Sequence, residues 1–176
     1  ALAYDFVEQT GRHLFLTGKA GTGKTTFLRN LKERSPKRMI VVAPTGVAAI
    51  NAGGVTIHSF FQLPFGPIVP GFSKGDKQSF FRFSREKRNI IKSLDLLIID
   101  EIGYTPIDRK EANLFFNLVS ELYEKKSIII TSNLPFDEWT EVFGSERLTG
   151  AILDRLTHHC EIVETGNESW RFKNRA

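Results

Sequence analysis

Short apolar runs alternating with helical periods set the outline of this chain. His13-Leu14-Phe15-Leu16-Thr17, Met39-Ile40-Val41-Val42-Ala43, Leu94 to Glu101, Ser127 to Ser132 and Cys160-Glu161-Ile162-Val163-Glu164 each read as a buried strand. Between them lie helical stretches. One runs from Thr25 to about Arg34 and is ended by Ser35-Pro36. A short one covers Val47 to Ile50 and is stopped by Gly53-Gly54, and a basic one over 84–93 is expected to turn Ile90 and Ile91 inward. Asp108 and Glu111 form a capping pattern ahead of a helix carrying Phe115, Leu118, Val119, Leu122 and Tyr123 on one face. Pro135 to Phe143 reads as a short helix, and Ser145 can cap another that runs to about Leu156. Ala1 to Thr10 looks like the end of a helix, with Leu2 and Phe6 at helical spacing and Gly11 as its stop. Residues 62–83 have no clear period and read as a long loop, while the tail with Trp170 and Phe172 is expected to add a small edge strand. Strands alternating with helices predict an α/β domain whose parallel sheet is covered on both faces.

The densest chemical signal is GKAGTGKTT, Gly18 to Thr26, set between the first strand and the first long helix. In that context the spacing G-x-x-x-x-G-K-[ST] is a phosphate loop. Gly18, Gly21 and Gly23, with Ala20 and Thr22 between them, let successive N–H groups point inward at a phosphate, and the helix start behind adds its own amides. Lys24 would reach the β- and γ-phosphates, Thr25 would offer its hydroxyl to Mg²⁺, and Thr26 continues the cradle. The bland alternative is a glycine-rich turn with no ligand. A dinucleotide turn fits poorly, because it would need glycine at Thr26. Asp100 and Glu101 end an apolar strand at the sheet edge where the phosphate loop also emerges. Asp100 would hold Mg²⁺ opposite Thr25, and Glu101 would polarise the attacking water. Asn133, at the end of another strand, could orient that water or sense the γ-phosphate, or it could simply form a turn before Leu134-Pro135.

Charge changes the picture by its distribution. Residues 1–92 hold 15 Lys and Arg against 5 Asp and Glu, a net +10, whereas residues 93–176 hold 9 against 15, a net −6. The basic half suits a polyanion. Phe60, Phe61, Phe65, Phe72, Phe80, Phe81 and Phe83 interleave there with Lys74, Lys77, Arg82, Arg85, Lys87 and Arg88. That mixture suits single-stranded nucleic acid, or it anchors a loop to the core while the charges face solvent. Thr45 and His58 could touch nucleic acid, although His58 could equally be a structural histidine. Arg155 could act as a finger on a neighbouring subunit's nucleotide, which would imply self-association, or it could pair locally with Asp154; Arg147 is the weaker candidate. His158-His159-Cys160 hints at metal, but a structural zinc site takes about four ligands and no second cluster is visible, so none is expected. One cysteine leaves no internal disulfide and fits a cytoplasmic setting. No apolar run reaches the roughly 18 residues of a membrane span, and the N-terminus shows no export signal.

Two family resemblances rest on these residues. GKAGTGKTT, VVAPTGVAAINAGGVTIHSFFQLPFG and LDLLIIDE, within residues 2–101, resemble the first motor domain of Pif-family superfamily 1B DNA helicases. That likeness implies single-stranded DNA contacts at Thr45, Gly46, His58 and Ser59. LLIIDEIGYTPIDRKEANLFFNLVSELYEKKSIIITSNLPFDEWTEVF and AILDRLTHHCEIVE, over about 96–173, resemble IstB/DnaC-like AAA+ ATPases and imply Asn133 as sensor and Arg155 as finger. Both imply a three-layer P-loop NTPase fold with a five-stranded parallel sheet in the order 5-1-4-3-2, here in one domain that reads as a chimera of the two families, with the seam near residues 96–103. The expected function is ATP binding with Mg²⁺-dependent hydrolysis. The alternatives are a nucleotide-binding scaffold without turnover and a single-stranded DNA-binding module. Unwinding is not expected, because the helicase class needs a second motor domain closing on the nucleotide.

Overall fold

The apolar runs assemble as expected. In the computed structural model, residues 2–61, 85–103 and 106–166 are described. The strands are β1 His13–Thr17, β2 Met39–Ala43, β3 Val55–Thr56, β4 Leu96–Ile102, β5 Ser127–Ser132 and β6 Cys160–Glu164. The helices are α1 Leu2–Gln9, α2 Lys24–Arg34, α3 Gly46–Ala52, α4 Ile57–Phe61, α5 Arg85–Ser93, α6 Arg109–Leu122, α7 Trp139–Phe143 and α8 Glu146–Thr157, with a 3₁₀ turn at Phe136–Glu138.

Among the described residues the strands form one sheet in the order β3-β2-β4-β5-β1-β6, with every pairing parallel. The five expected strands keep the expected order. The correction is a sixth strand: Val55 and Thr56 pair with Val42 and Ala43 and extend the edge beyond β2. Two residues carry too short a pattern to announce themselves as a strand; pairing with β2 makes them one. The proposed tail strand lies outside the described residues.

The apolar run of β4 from Leu96 to Ile99 follows from burial on both faces. Leu97 and Ile99 join Phe15, Ile128 and Ile130 against α6, α7 and α8. Leu96 and Ile98 join Leu14, Leu16, Val41 and Ile129 against α1 and α2. Asp108 and Glu111 close α6 with a full capping box, and Ser145 caps α8. One expectation needs correction, and for Phe60 one of two open readings is decided. Ile91 is buried in α5, but Ile90 is 44% exposed: the two side chains leave the helix about 100° apart, and α5 turns only one of them to the core. Phe60 is 4% exposed and packs in the core with Lys87 over its ring at 4.4 Å, so it anchors and does not offer a stacking face. Phe65, Phe72, Phe80, Phe81, Phe83, Lys74, Lys77 and Arg82 lie outside the described residues.

Candidate nucleotide site at the carboxyl-terminal edge of the sheet

Parallel strands deliver all their ends to one edge, and the loops leaving them meet there. β1 runs into Gly18 to Gly23 and then α2. Gly18 stands at φ +130°, where a Cβ would lie 2.4 Å from Thr165 Oγ1 and 2.6 Å from Thr165 O, so only glycine fits. Thr165, just past β6, donates its N–H and its hydroxyl to Thr17 O at 2.8 and 2.9 Å and meets the Thr22 hydroxyl at 2.6 Å. The last strand therefore braces the flank of the loop. Ala20, Gly23 and Thr26 are exposed, whereas Gly21, Thr22 and Thr25 are half-buried.

The start of α2 differs from its neighbours. Thr45, Asp108 and Ser145 close α3, α6 and α8 with side-chain hydrogen bonds. The N-cap of α2 is Gly23 in a left-handed conformation, and it has no side chain to offer. The first amides of α2 are thus available to an anion. Lys24, only 9% exposed, folds back and donates to Gly18 O at 2.5 Å and Lys19 O at 2.9 Å. Burial lowers its pKa, and the nearby Asp100 and Glu101 oppose that shift.

β4 brings the acids to the same place. Thr25 Oγ1 donates to Asp100 Oδ2 at 3.5 Å. Asp100 is 1% exposed; burial raises its pKa, against the hydrogen bonds from Thr131, Thr25 and the Glu101 amide and the charge of Lys24. Glu101, half-buried, stands at φ +58°. Asn133 is exposed one residue past β5. Its neighbour Ser132 holds the turn, donating to Ile102 O at 2.7 Å and accepting from the Leu134 amide at 3.0 Å. Lys24, Thr25, Asp100 and Glu101 therefore converge, with Asn133 on the adjoining strand. A hydroxyl and carboxylate oxygens are the hard donors that Mg²⁺ takes, with waters completing its shell.

The other candidates spread further. Thr45 accepts from the Ala48 amide at 3.1 Å as a helix cap, with Gly46 behind it as the first residue of α3. His58 Nδ1 lies 3.4 Å from Glu111 Oε1, and the exposed Ser59 donates its amide to Thr56 Oγ1 at 3.0 Å. Beside Thr45, α3 exposes Val47 at 72% and Ile50 at 79%. Arg155 lies on the last turn of α8, at the edge where β6 begins. It donates to Ala151 O at 2.8 Å and stacks 4.7 Å from the Phe116 ring. β1 and β6 are parallel and in register, so the edge where β6 begins and the edge that carries the phosphate loop are separated by five strand residues, about 16 Å. Arg147 is exposed in the first turn of α8. At the Arg155 edge, His158 and His159 meet Glu124 with ligand atoms within 4.8 Å of one another, all exposed; Cys160 is not in the group. The sequence reading missed Glu124, which lies more than 30 residues away. It also missed Thr131 and Thr165, whose only signal is a threonine at or just past the end of an apolar strand.

A glycine-rich loop between an interior strand and an uncapped helix, with an acid-tipped strand one place removed in a three-layer parallel fold, defines a P-loop NTPase domain. The comparisons agree and narrow the class. This chain belongs to the family of IstB-like ATP binding proteins, whose family model matches residues 69–176. It is 36% identical over 170 residues to a Pseudomonas aeruginosa protein named as the ATP-binding protein of insertion sequence IS21, covering 97% of this chain and 56% of that protein. It is also 40% identical over 101 residues to the ATP-dependent DNA helicase Pif1 of Bdellovibrio bacteriovorus, covering 56% of this chain and 22% of the helicase. Among solved structures, Bacteroides Pif1 in complex with ADP-AlF4 aligns with a TM-score of 0.58 and 32% identity, over 97% of this chain and 41% of that one. The chain thus spans about half the length of the IS21 protein, and less of the helicases.

Proposed function

We propose that this domain binds Mg·ATP at Gly18 to Thr26 and hydrolyses it. The observation that carries the reading is the meeting of Thr25 with Asp100 at 3.5 Å beside a buried lysine and an uncapped helix start. Lys24 leaves the carbonyls of Gly18 and Lys19 to take the β- and γ-phosphate oxygens, exchanging neutral acceptors for charged ones. Thr25 and Asp100 hold Mg²⁺, which when bound draws charge from the phosphate oxygens. Glu101 accepts the proton of the attacking water, and Asn133 orients that water or reads the γ-phosphate. The ADP-AlF4 complex of the similar Bacteroides helicase supports a nucleotide in this fold.

Arg155 is the finger candidate, and its place at the far edge supports action on a neighbouring copy's nucleotide and not on its own. Self-association and this role go together. The seam near residues 96–103 belongs to the same proposal. The helicase match covers 56% of the chain and the charge reverses near β4, although the IS21 relative aligns over 97%. The test is paired. Mg·ATP turnover is measured for the parent, Lys24→Ala and Glu101→Gln, with nucleotide binding followed by fluorescence. Glu101→Gln is expected to keep binding and lose about 10²- to 10⁴-fold in turnover. Lys24→Ala is expected to weaken binding by about tenfold or more. A parent that binds nucleotide tightly without turnover makes the domain a scaffold instead.

A second reading, single-stranded DNA binding by the basic half, is favoured by the place of Thr45 and Gly46 at the end of β2 and by the exposed face of α3. A solved Bacteroides Pif1 structure, 30% identical, is bound to single-stranded DNA. An affinity that falls steeply with salt and ignores Lys24→Ala supports it.

A further inference from the structure

Consecutive strand residues face opposite sides of a sheet, so a regular strand cannot aim both Asp100 and Glu101 at one ligand. β4 escapes this with a bulge. Ile99 pairs with Ile130 and Ile102 with Ser132, so β4 advances three residues while β5 advances two. Asp100 and Glu101 together oppose the single residue Thr131, which is the geometry of a β-bulge. Glu101 takes up the extra length in a left-handed conformation, φ +58°, that a glutamate rarely adopts.

What holds the bulge is the Thr131 side chain, 0% exposed. Its hydroxyl donates to Asp100 Oδ1 and accepts the Glu101 amide at 2.8 Å. The two bonds are coupled. A hydroxyl has one proton; with that proton on Asp100, its lone pairs are free for the Glu101 amide. The bond also occupies Oδ1 and leaves Oδ2 to face Thr25. Without the hydroxyl, a buried carboxylate oxygen and a part-buried amide would both lose a partner.

We propose that Thr131 is the positioning residue of the hydrolytic site: its hydroxyl pins the bulge that turns Asp100 and Glu101 together toward the phosphate loop. The inference rests on the Mg·ATP reading for its kinetic consequence and on the fold alone for the pin. The experiment therefore has two readouts, on the parent, Thr131→Val and Thr131→Ser. In the nucleotide-free protein, exchange of the Glu101 amide is followed by NMR, and Thr131→Val is expected to speed it about tenfold while Thr131→Ser stays near the parent. In turnover, Thr131→Val is expected to raise the Mg²⁺ concentration at half-maximal rate about tenfold and to lower the maximal rate about 10²-fold, with nucleotide affinity in EDTA unchanged and Thr131→Ser close to the parent. Should Thr131→Val not fold, Thr131→Ala is read the same way. Parent-like Mg²⁺ dependence in the hydroxyl-free variant, or equal damage in Thr131→Ser, overturns the proposal. A parent with no Mg²⁺-dependent turnover overturns the hydrolysis reading instead, and the Glu101 amide then decides the pin by itself.

Discussion

At the carboxyl-terminal edge of the sheet Asp100 is 1% exposed and bonded to Thr131 and Thr25, while at the opposite edge Asp95 faces solvent with both its oxygens on Arg38 at 3.0 Å. Two aspartates five residues apart on one chain segment thus have opposite electrostatics. Burial pushes the Asp100 carboxyl up, whereas the Arg38 hydrogen bonds hold Asp95 down at about 2. One edge keeps a charge where it is costly, beside Lys24. The other puts charge where water and a partner stabilise it. A fold that selected only for stability would do the second everywhere, so the first edge is where function is read.

The contrast can be broken first in the middle. Ile98 is 0% exposed and pairs with Val41 and Ile129 between the two edges. Ile98→Ala is expected to cost about 2–5 kcal/mol, measured by urea unfolding, and both edges should melt in one transition. Separate transitions would mean that the edges belong to independent units.

A smaller effect separates the edges directly. At Gly18 a Cβ would meet Thr165 at 2.4 Å with φ at +130°, whereas at Gly11, on the loop entering β1 from the other edge, it would meet nothing within 4 Å. Gly18→Ala is expected to cost about 1–3 kcal/mol and to weaken nucleotide binding. Gly11→Ala should be neutral or slightly stabilising in the same thermal and binding assays. Equal effects would remove the asymmetry.

The smallest effect belongs to Arg38→Ala. The folded-state pKa of Asp95 lies below its ordinary 3.8, so the pair's contribution is fully present above 3.8 and is lost as pH falls through about 2. The variant should be slightly less stable than the parent at pH 7, more clearly so at low salt, and the difference should shrink as pH falls below 3.8 and through about 2, followed by urea unfolding. A difference that does not shrink over that range would assign the effect to packing.

Much of this was legible along the chain because it depends on near neighbours. The phosphate loop, the apolar strands and the capping pairs Asp108–Glu111 and Ser145–Leu148 are local arrangements, and the structure contains each of them. What was not legible depends on partners distant in sequence. Phe60 alternates with cations like a stacking aromatic, yet it is buried because α4 packs against the core. Ile90 carries the same hydrophobicity as Ile91, and only the placing of α5 decides which of them turns outward.

Order along the chain therefore determined where an amide cradle, a helix start and strand-end acids occur, because each is built from residues a few positions apart. Tertiary structure alone decided how those pieces face one another. Thr131 sits opposite a bulge 30 residues away, and Thr165 braces a loop 143 residues before it. Such contacts arise only when a parallel sheet lays its strands side by side, since hydrogen bonds act over about 3 Å whatever the separation in sequence.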